Sequence, residues 1–171
     1  MRAATPLRLA IVLCATLAGR GSAAEEPPIP KEGSYSSTTI SSCAAKALPL
    51  GKDRLQMTWD CLGAQLSDGG AGLLHSASIR CVGGLQAVGG EYQALSGACV
   101  FTRPDGDQAF YVETASGKLG AQSKGTGTFV GGTGKLAGLT GGGEFTRYIV
   151  RAAAEGTFQV VTHSKNVYRL P

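Results

Sequence analysis

Glycine accounts for 26 of the 171 residues, and it is the residue that most restricts the fold of this chain. Many glycines stand in small turn-forming groups at nearly regular intervals, and the runs between them carry β-branched and aromatic residues. No long run repeats apolar residues at helical spacing, and a glycine inside a helix costs about 1 kcal/mol relative to alanine. The chain is therefore predicted to be all-β, an antiparallel barrel of about eight strands.

The predicted strands are short and are separated by recognisable turns. The strands cover residues 38–45, 55–62, 74–82, 92–101, 108–114, 126–130, 143–150 and 157–168. The turn-forming groups lie at residues 51–53, 68–70, 83–84, 89–90, 104–107 and 141–142. Glycine, aspartate and proline favour tight reversals there, so successive strands are expected to run antiparallel.

The first 24 residues have the three parts of a secretory signal peptide. Arg2 and Arg8 supply the basic start, and residues 9–18 form an apolar run of about ten residues. Ser22 and Ala24 suit the small positions before a cleavage site. Because a membrane-spanning helix needs roughly 20 apolar residues, the segment is predicted to be cleaved, which exports the protein to the periplasm or the extracellular space.

The exported chain is predicted to have an exposed leader at residues 25–36, rich in Pro, Glu and Ser, and a single barrel domain at residues 37–171. Three of the 16 basic residues leave with the signal peptide, so 13 remain against 12 acidic residues, a net charge of about +1. No basic cluster is left to bind nucleic acid. Glycine-broken strands with few aromatic residues argue against insertion into an outer membrane, so a soluble protein is expected.

Four cysteines remain after cleavage, and an even number in an oxidising compartment predicts two disulfides. They are Cys43, Cys61, Cys81 and Cys99. Residues equally distant from a hairpin turn face each other. Cys43 and Cys61 are centred on the turn at 51–53, and Cys81 and Cys99 on the turn at 89–90, so these two pairings are favoured. A Cys61–Cys81 link across the turn at 70–72 fits almost as well. No pair has the C-x-x-C spacing of a zinc site.

The glycine-rich stretch 125–145 is the most distinctive part of the sequence, and two cofactor motifs fail in it. A P-loop requires Ser or Thr after its Gly-Lys pair, but Leu136 follows Lys135. A dinucleotide-binding motif requires a helix directly after it, and Gly141–Gly143 would interrupt that helix. No cofactor is therefore predicted.

The same glycines are interpreted as turn or bulge positions at 131–132 and 141–142. The apolar side of the stretch is assigned to Phe129, Leu136, Leu139 and Phe145. The run GGTGKLAGLTGGG resembles the glycine-rich hallmark of the allene oxide cyclase and dirigent barrel superfamily. That resemblance covers about twenty residues and implies an eight-stranded antiparallel barrel with a central cavity. It transfers no activity, and no catalytic position of that superfamily is matched here.

Few side chains are candidates for a functional site. The residues expected to line a cavity are Trp59, His75, Glu113 and His163. Glu113 and Glu144 would form a carboxylate pair only if the fold brought them together. Asp105 and Asp107 are interpreted as part of a turn, because the positions after them supply no further calcium ligands. No catalytic residue and no metal site are predicted.

These observations lead to two hypotheses about function. The first is a non-catalytic exported barrel that binds a small, partly apolar molecule in its lumen, or that acts as a structural or interaction module. An eight-stranded barrel has an interior just wide enough for side chains or one small ligand. The alternative is a cyclase or isomerase that acts on a lipid-derived substrate in the barrel cavity.

Overall fold

The computed structural model describes residues 28–150 and 157–171, which form eight antiparallel strands closed into one barrel. The strands are β1 (Glu32–Pro49), β2 (Arg54–Ser67), β3 (Ala77–Val88), β4 (Glu91–Thr102), β5 (Gln108–Lys118), β6 (Ser123–Gly132), β7 (Thr140–Val150) and β8 (Thr157–Arg169). Each strand pairs with the next, and β8 pairs with β1. The predicted fold class is confirmed, whereas the predicted signal peptide lies outside the described residues. No helix in the described ranges is long and apolar enough to cross a membrane.

The first strand is longer than the sequence predicts. Residues 32–36, predicted as exposed leader, belong to β1 because they pair with the end of β8: Glu32 lies opposite Arg169, and Tyr35 lies opposite Asn166. The ring of Tyr35 also packs edge-on against Tyr168, with centroids 6.2 Å apart. Local composition could not reveal this extension, because the pairing partner comes from the other end of the chain.

One end of the barrel is closed by two connections. Leu73 and Leu74 lie between β2 and β3, and Leu136 and Leu139 lie between β6 and β7; none is more than 1% exposed. The strand predicted from residue 74 therefore begins at Ala77, since the apolar side chain of Leu74 fills the barrel end instead. These four leucines exclude water from that end.

The glycine-rich stretch makes the connection between β6 and β7, with a single 3₁₀ turn at Gly134–Leu136. Gly131 has φ of +137° beside a register shift in the β5–β6 ladder, and Gly141 has φ of +113° at the start of β7. Only glycine adopts such angles readily. Gly131 lies at the predicted bulge, whereas Gly141 and Gly142, predicted as a turn or bulge, lie inside β7 in continuous register with β6 and β8. The four predicted apolar residues of this stretch are all buried, at 4% exposure or less.

A network of charged side chains fastens the closed end. Arg103, only 3% exposed, donates to the carbonyl of Leu73 and also contacts the carboxylate of Asp105 at 3.3 Å. Asp107 accepts a hydrogen bond of 2.8 Å from the backbone N–H of Lys135, and the Lys135 ammonium lies 2.9 Å from Asp105. The hydrogen bond from the Lys135 ammonium lowers the pKa of Asp105. The two aspartates therefore bind the β4–β5 turn to the 3₁₀ turn.

The four cysteines lie in one row across β1 to β4, with Cys43 opposite Cys61, Cys61 opposite Cys81, and Cys81 opposite Cys99. The structure contains the disulfides Cys43–Cys61 and Cys81–Cys99, with Cα separations of 4.0 and 4.1 Å. Both favoured pairings are therefore present. The alternative was a close competitor for a structural reason, since Cys61 and Cys81 also face each other.

Several interior glycines make room for aromatic rings. A Cβ added to Gly127 would lie 2.2 Å from two ring carbons of Tyr111, and a Cβ on Gly97 would lie 2.6 Å from Cη2 of Trp59. Both distances are far below van der Waals contact. The glycines of these strands therefore supply space inside the barrel as well as turns at its ends.

We predict that Gly127→Ala destabilises the barrel by about 1–3 kcal/mol, the usual cost of overpacking a core. The ring of Tyr111 cannot retreat easily, because Phe101 and Phe129 pack against it with centroids 6.0 and 4.9 Å away. Urea unfolding would measure the change. The matched control is Gly69→Ala, where an added Cβ meets nothing within 4 Å; equal effects of the two substitutions would contradict the prediction.

Candidate functional site

The described residues of the barrel enclose a cavity of about 340 Å³, and among them it is open at the end opposite the four leucines. Strand residues whose side chains point inward form its walls. At the open end it is lined by the β5–β6 turn, including the exposed residues Lys118, Gly120 and Ala121. This volume falls within the roughly 300–1,000 Å³ of small-molecule sites, so the interior is not filled by its own side chains.

The cavity walls are predominantly apolar. Large buried side chains from four strands contribute: Trp59, Leu85, Leu95, Phe101 and Phe129. Both disulfides lie on the same inner face, with Cys61, Cys81 and Cys99 among the lining residues. An apolar surface of this kind favours apolar ligands, because their surface is removed from water when they enter the cavity.

An ion pair is set into this apolar wall. The Nη2 atom of Arg147 lies 2.8 and 2.9 Å from the two carboxylate oxygens of Glu113. The two side chains are 15% and 5% exposed. Arg147 is also held by its Nε contact to Thr162 at 3.4 Å, and its guanidinium lies 4.7 Å from the ring centre of Phe145. These contacts fix the orientation of the pair. Hydrogen bonds between charged groups are stronger than those between neutral groups.

A second polar group lies nearer the closed end. Gln65, 2% exposed, accepts from Thr39 at 3.3 Å and donates to the carbonyl of Leu74 at 3.3 Å. Tyr111 donates to Asn166 at 3.4 Å. Burial raises the pKa of Tyr111, as does the negative charge of Glu113. Its phenol therefore remains a hydrogen-bond donor at physiological pH.

The structure brings two of the four predicted cavity residues into the cavity. Trp59 and Glu113 line it. His75 lies in the β2–β3 connection, where its Nδ1 accepts a hydrogen bond from the backbone N–H of Ser67. His163 is exposed on the outer face of β8, beside the ring of Tyr148 at 5.8 Å.

These placements correct the expectation for both histidines. Alternate residues of a strand point to opposite faces, and in β8 the even-numbered positions around His163 face inward. Glu144 is likewise exposed on β7, while Glu113 is buried, so the two glutamates form no carboxylate pair.

Sequence reasoning missed Arg147, Asn166 and Gln65. All three occupy inward positions of strands, so the alternation of side chains could have selected them as polar residues on an apolar face. Arg147 in particular sits two positions after the buried Phe145. The alternation along β7 therefore marked Arg147 as an inward position. It was not selected because an arginine in a strand is more often a surface residue.

Within the described ranges, no three His, Cys, Asp or Glu side chains cluster so as to hold a metal ion. No family model, curated protein or solved structure matches the chain. The cavity itself is therefore the basis for any statement about function.

Proposed function

We propose that this protein is an exported barrel whose role is to bind one small, partly apolar molecule in its central cavity. The observation that carries the proposal is the open cavity of about 340 Å³, because a barrel that served only as a rigid scaffold would have its interior filled by side chains. The walls are apolar with a few placed polar groups, the usual composition of a ligand pocket.

The size of the cavity limits the ligand. At about 340 Å³, it lies near the lower end of the range of small-molecule sites, so a small ligand suits it better than a large one.

Export to the periplasm or the extracellular space is part of the same proposal. Two disulfides are compatible with an oxidising compartment, and the first 24 residues have the pattern of a cleaved signal peptide. The protein would then meet its ligand outside the cytoplasm.

Trp59 provides a direct test, because it is the single tryptophan of the chain and lines the cavity. We expect 2-decanone, a small ketone with a long alkyl chain, to change the tryptophan emission saturably. Ala45→Phe, which places a ring opposite Trp59 on the cavity face, is expected to weaken binding at least about ten-fold, the effect of losing a few well-packed methylenes.

The matched control is Ala44→Phe, which adds the same ring to the neighbouring outward position of β1. It is expected to leave the affinity unchanged. If the wild-type emission shows no saturable change, or if Ala45→Phe and Ala44→Phe bind equally well, the cavity is not the binding site and the proposal fails.

The second candidate is an isomerase or cyclase, which the likeness of the glycine-rich stretch to the allene oxide cyclase and dirigent barrels would also suit. The observation that favours it is the position of the Glu113 carboxylate on the wall of the apolar cavity, where it would lie beside a bound substrate. An unsaturated lipid epoxide that is converted by the wild type but recovered unchanged with Glu113→Gln would decide for this candidate.

A further inference from the structure

We infer that the molecule bound in the cavity carries an uncharged hydrogen-bond acceptor, such as a ketone or ester carbonyl, that is met by Nη1 of Arg147. The inference rests on the proposed ligand-binding function and specifies the chemistry of that ligand. Its basis is the set of polar atoms that the protein leaves without a partner around the cavity.

Arg147 has donors to spare. Its contacts to Glu113 and Thr162 use Nη2 and Nε. Among the described residues, Nη1 makes no hydrogen bond to protein. It is also not one of the fully buried atoms that lack a hydrogen-bond partner, so it remains accessible. An arginine side chain offers five N–H donors and no acceptor. Because Arg147 lines the cavity, the two N–H groups of Nη1 are available to a molecule bound there.

A second unpartnered donor lies close by. The indole Nε1 of Trp59 is buried and has no hydrogen-bond partner among the described residues. Gly97 shows that the indole and the ion pair are neighbours: a Cβ placed there would lie 2.6 Å from Cη2 of Trp59 and 3.2 Å from Cγ of Glu113. A buried donor without a partner costs roughly 1–3 kcal/mol. Because the indole nitrogen is fully enclosed, the acceptor of the ligand is assigned to Arg147.

The charges of the site select against an ionic ligand. Arg147 and Glu113 neutralise each other at 2.8 Å, so a carboxylate that approached Arg147 would bring a third charge into an apolar cavity. If it displaced Glu113, that glutamate would remain buried without a partner, which is strongly unfavourable. An ammonium group would meet Arg147 with the same sign of charge. A neutral acceptor encounters neither penalty.

The test compares probes with one ten-carbon chain and different head groups: 2-decanone, decane, decanoate and decylammonium. Binding would be followed by the emission of Trp59 and by calorimetry at pH 7. We expect 2-decanone to bind at least about ten-fold more tightly than each of the other three, the effect of one hydrogen bond to a charged donor.

Arg147→Lys is the decisive variant, because it keeps the positive charge beside Glu113 and removes Nη1. It is expected to reduce the affinity for 2-decanone at least about ten-fold and to leave the affinity for decane unchanged. The matched control is Arg80→Lys, which alters the exposed ion pair with Asp60 on the outer face and is expected to change neither affinity.

The possible outcomes separate this inference from the proposed function. If all four probes bind equally well, or if Arg147→Lys weakens ketone and alkane binding alike, the cavity binds ligand but the head-group inference is wrong. Tighter binding of decanoate than of 2-decanone would also overturn it. If none of the probes binds, the proposed function itself fails.

Discussion

Replacing Arg147 with methionine is expected to lower the free energy of unfolding by about 3–5 kcal/mol, the range measured when one partner of a buried ion pair is removed. The physical reason is the position of Glu113. Its side chain is 5% exposed, and without the guanidinium at 2.8 and 2.9 Å its charge would remain in the apolar wall of the cavity. Urea denaturation at pH 7 would measure the change.

A double variant separates the ion pair from the packing of its side chains. Glu113→Leu combined with Arg147→Met removes both charges at similar volume and is expected to recover most of the lost stability, because it leaves no unpaired charge. Arg80→Met breaks the exposed pair with Asp60 and is expected to cost less than about 1 kcal/mol. If Arg147→Met cost no more than Arg80→Met, the pair with Glu113 would not be a buried one in solution.

Removing one disulfide is expected to have an effect of comparable size. Each disulfide joins residues 18 positions apart, and closing a loop of that length contributes about 3 kcal/mol by restricting the unfolded chain. The double substitutions Cys43→Ala/Cys61→Ala and Cys81→Ala/Cys99→Ala should therefore destabilise the barrel by similar amounts. Urea unfolding without reductant measures this, and addition of a dithiol should reduce the difference between each variant and the wild type.

The single substitution Cys43→Ala is a stricter check on the row of cysteines. It leaves the Cys61 thiol opposite Cys81, and its thiolate can attack the Cys81 sulfur, forming Cys61–Cys81 while Cys99 leaves as a thiolate and takes up a proton. Peptide mapping under non-reducing conditions should then detect some Cys61–Cys81 link, which the wild type and the Cys43→Ala/Cys61→Ala variant lack. An intact Cys81–Cys99 link as the single product would contradict the close approach of Cys61 and Cys81.

Local features of the sequence were sufficient to predict the class of fold and the approximate course of eight strands, although Gly83–Gly84 and Gly141–Gly142, predicted as turns, lie inside β3 and β7. A strand needs only a run of suitable residues, and a tight turn needs only glycine, proline or aspartate at a few positions, so both are visible within a short window. The same local symmetry about two turns indicated Cys43–Cys61 and Cys81–Cys99, and the glycine-rich stretch indicated the buried Leu136 and Leu139. Trp59 and Glu113 were selected as cavity-lining residues by residue type alone.

The tertiary structure decided what lies beside what across strands that are not neighbours in sequence. Glu113 on β5 is in register with Gly127 on β6 and then Gly143 on β7, so Arg147 reaches it from four residues further along β7. That contact depends on the stagger of three strands. The same stagger left His163 outside, gave the first residues of β1 a partner in β8, and kept the cavity open. Strand formation and turns are local properties and can be read from the sequence, whereas stagger belongs to the closed barrel as a whole and no single segment encodes it.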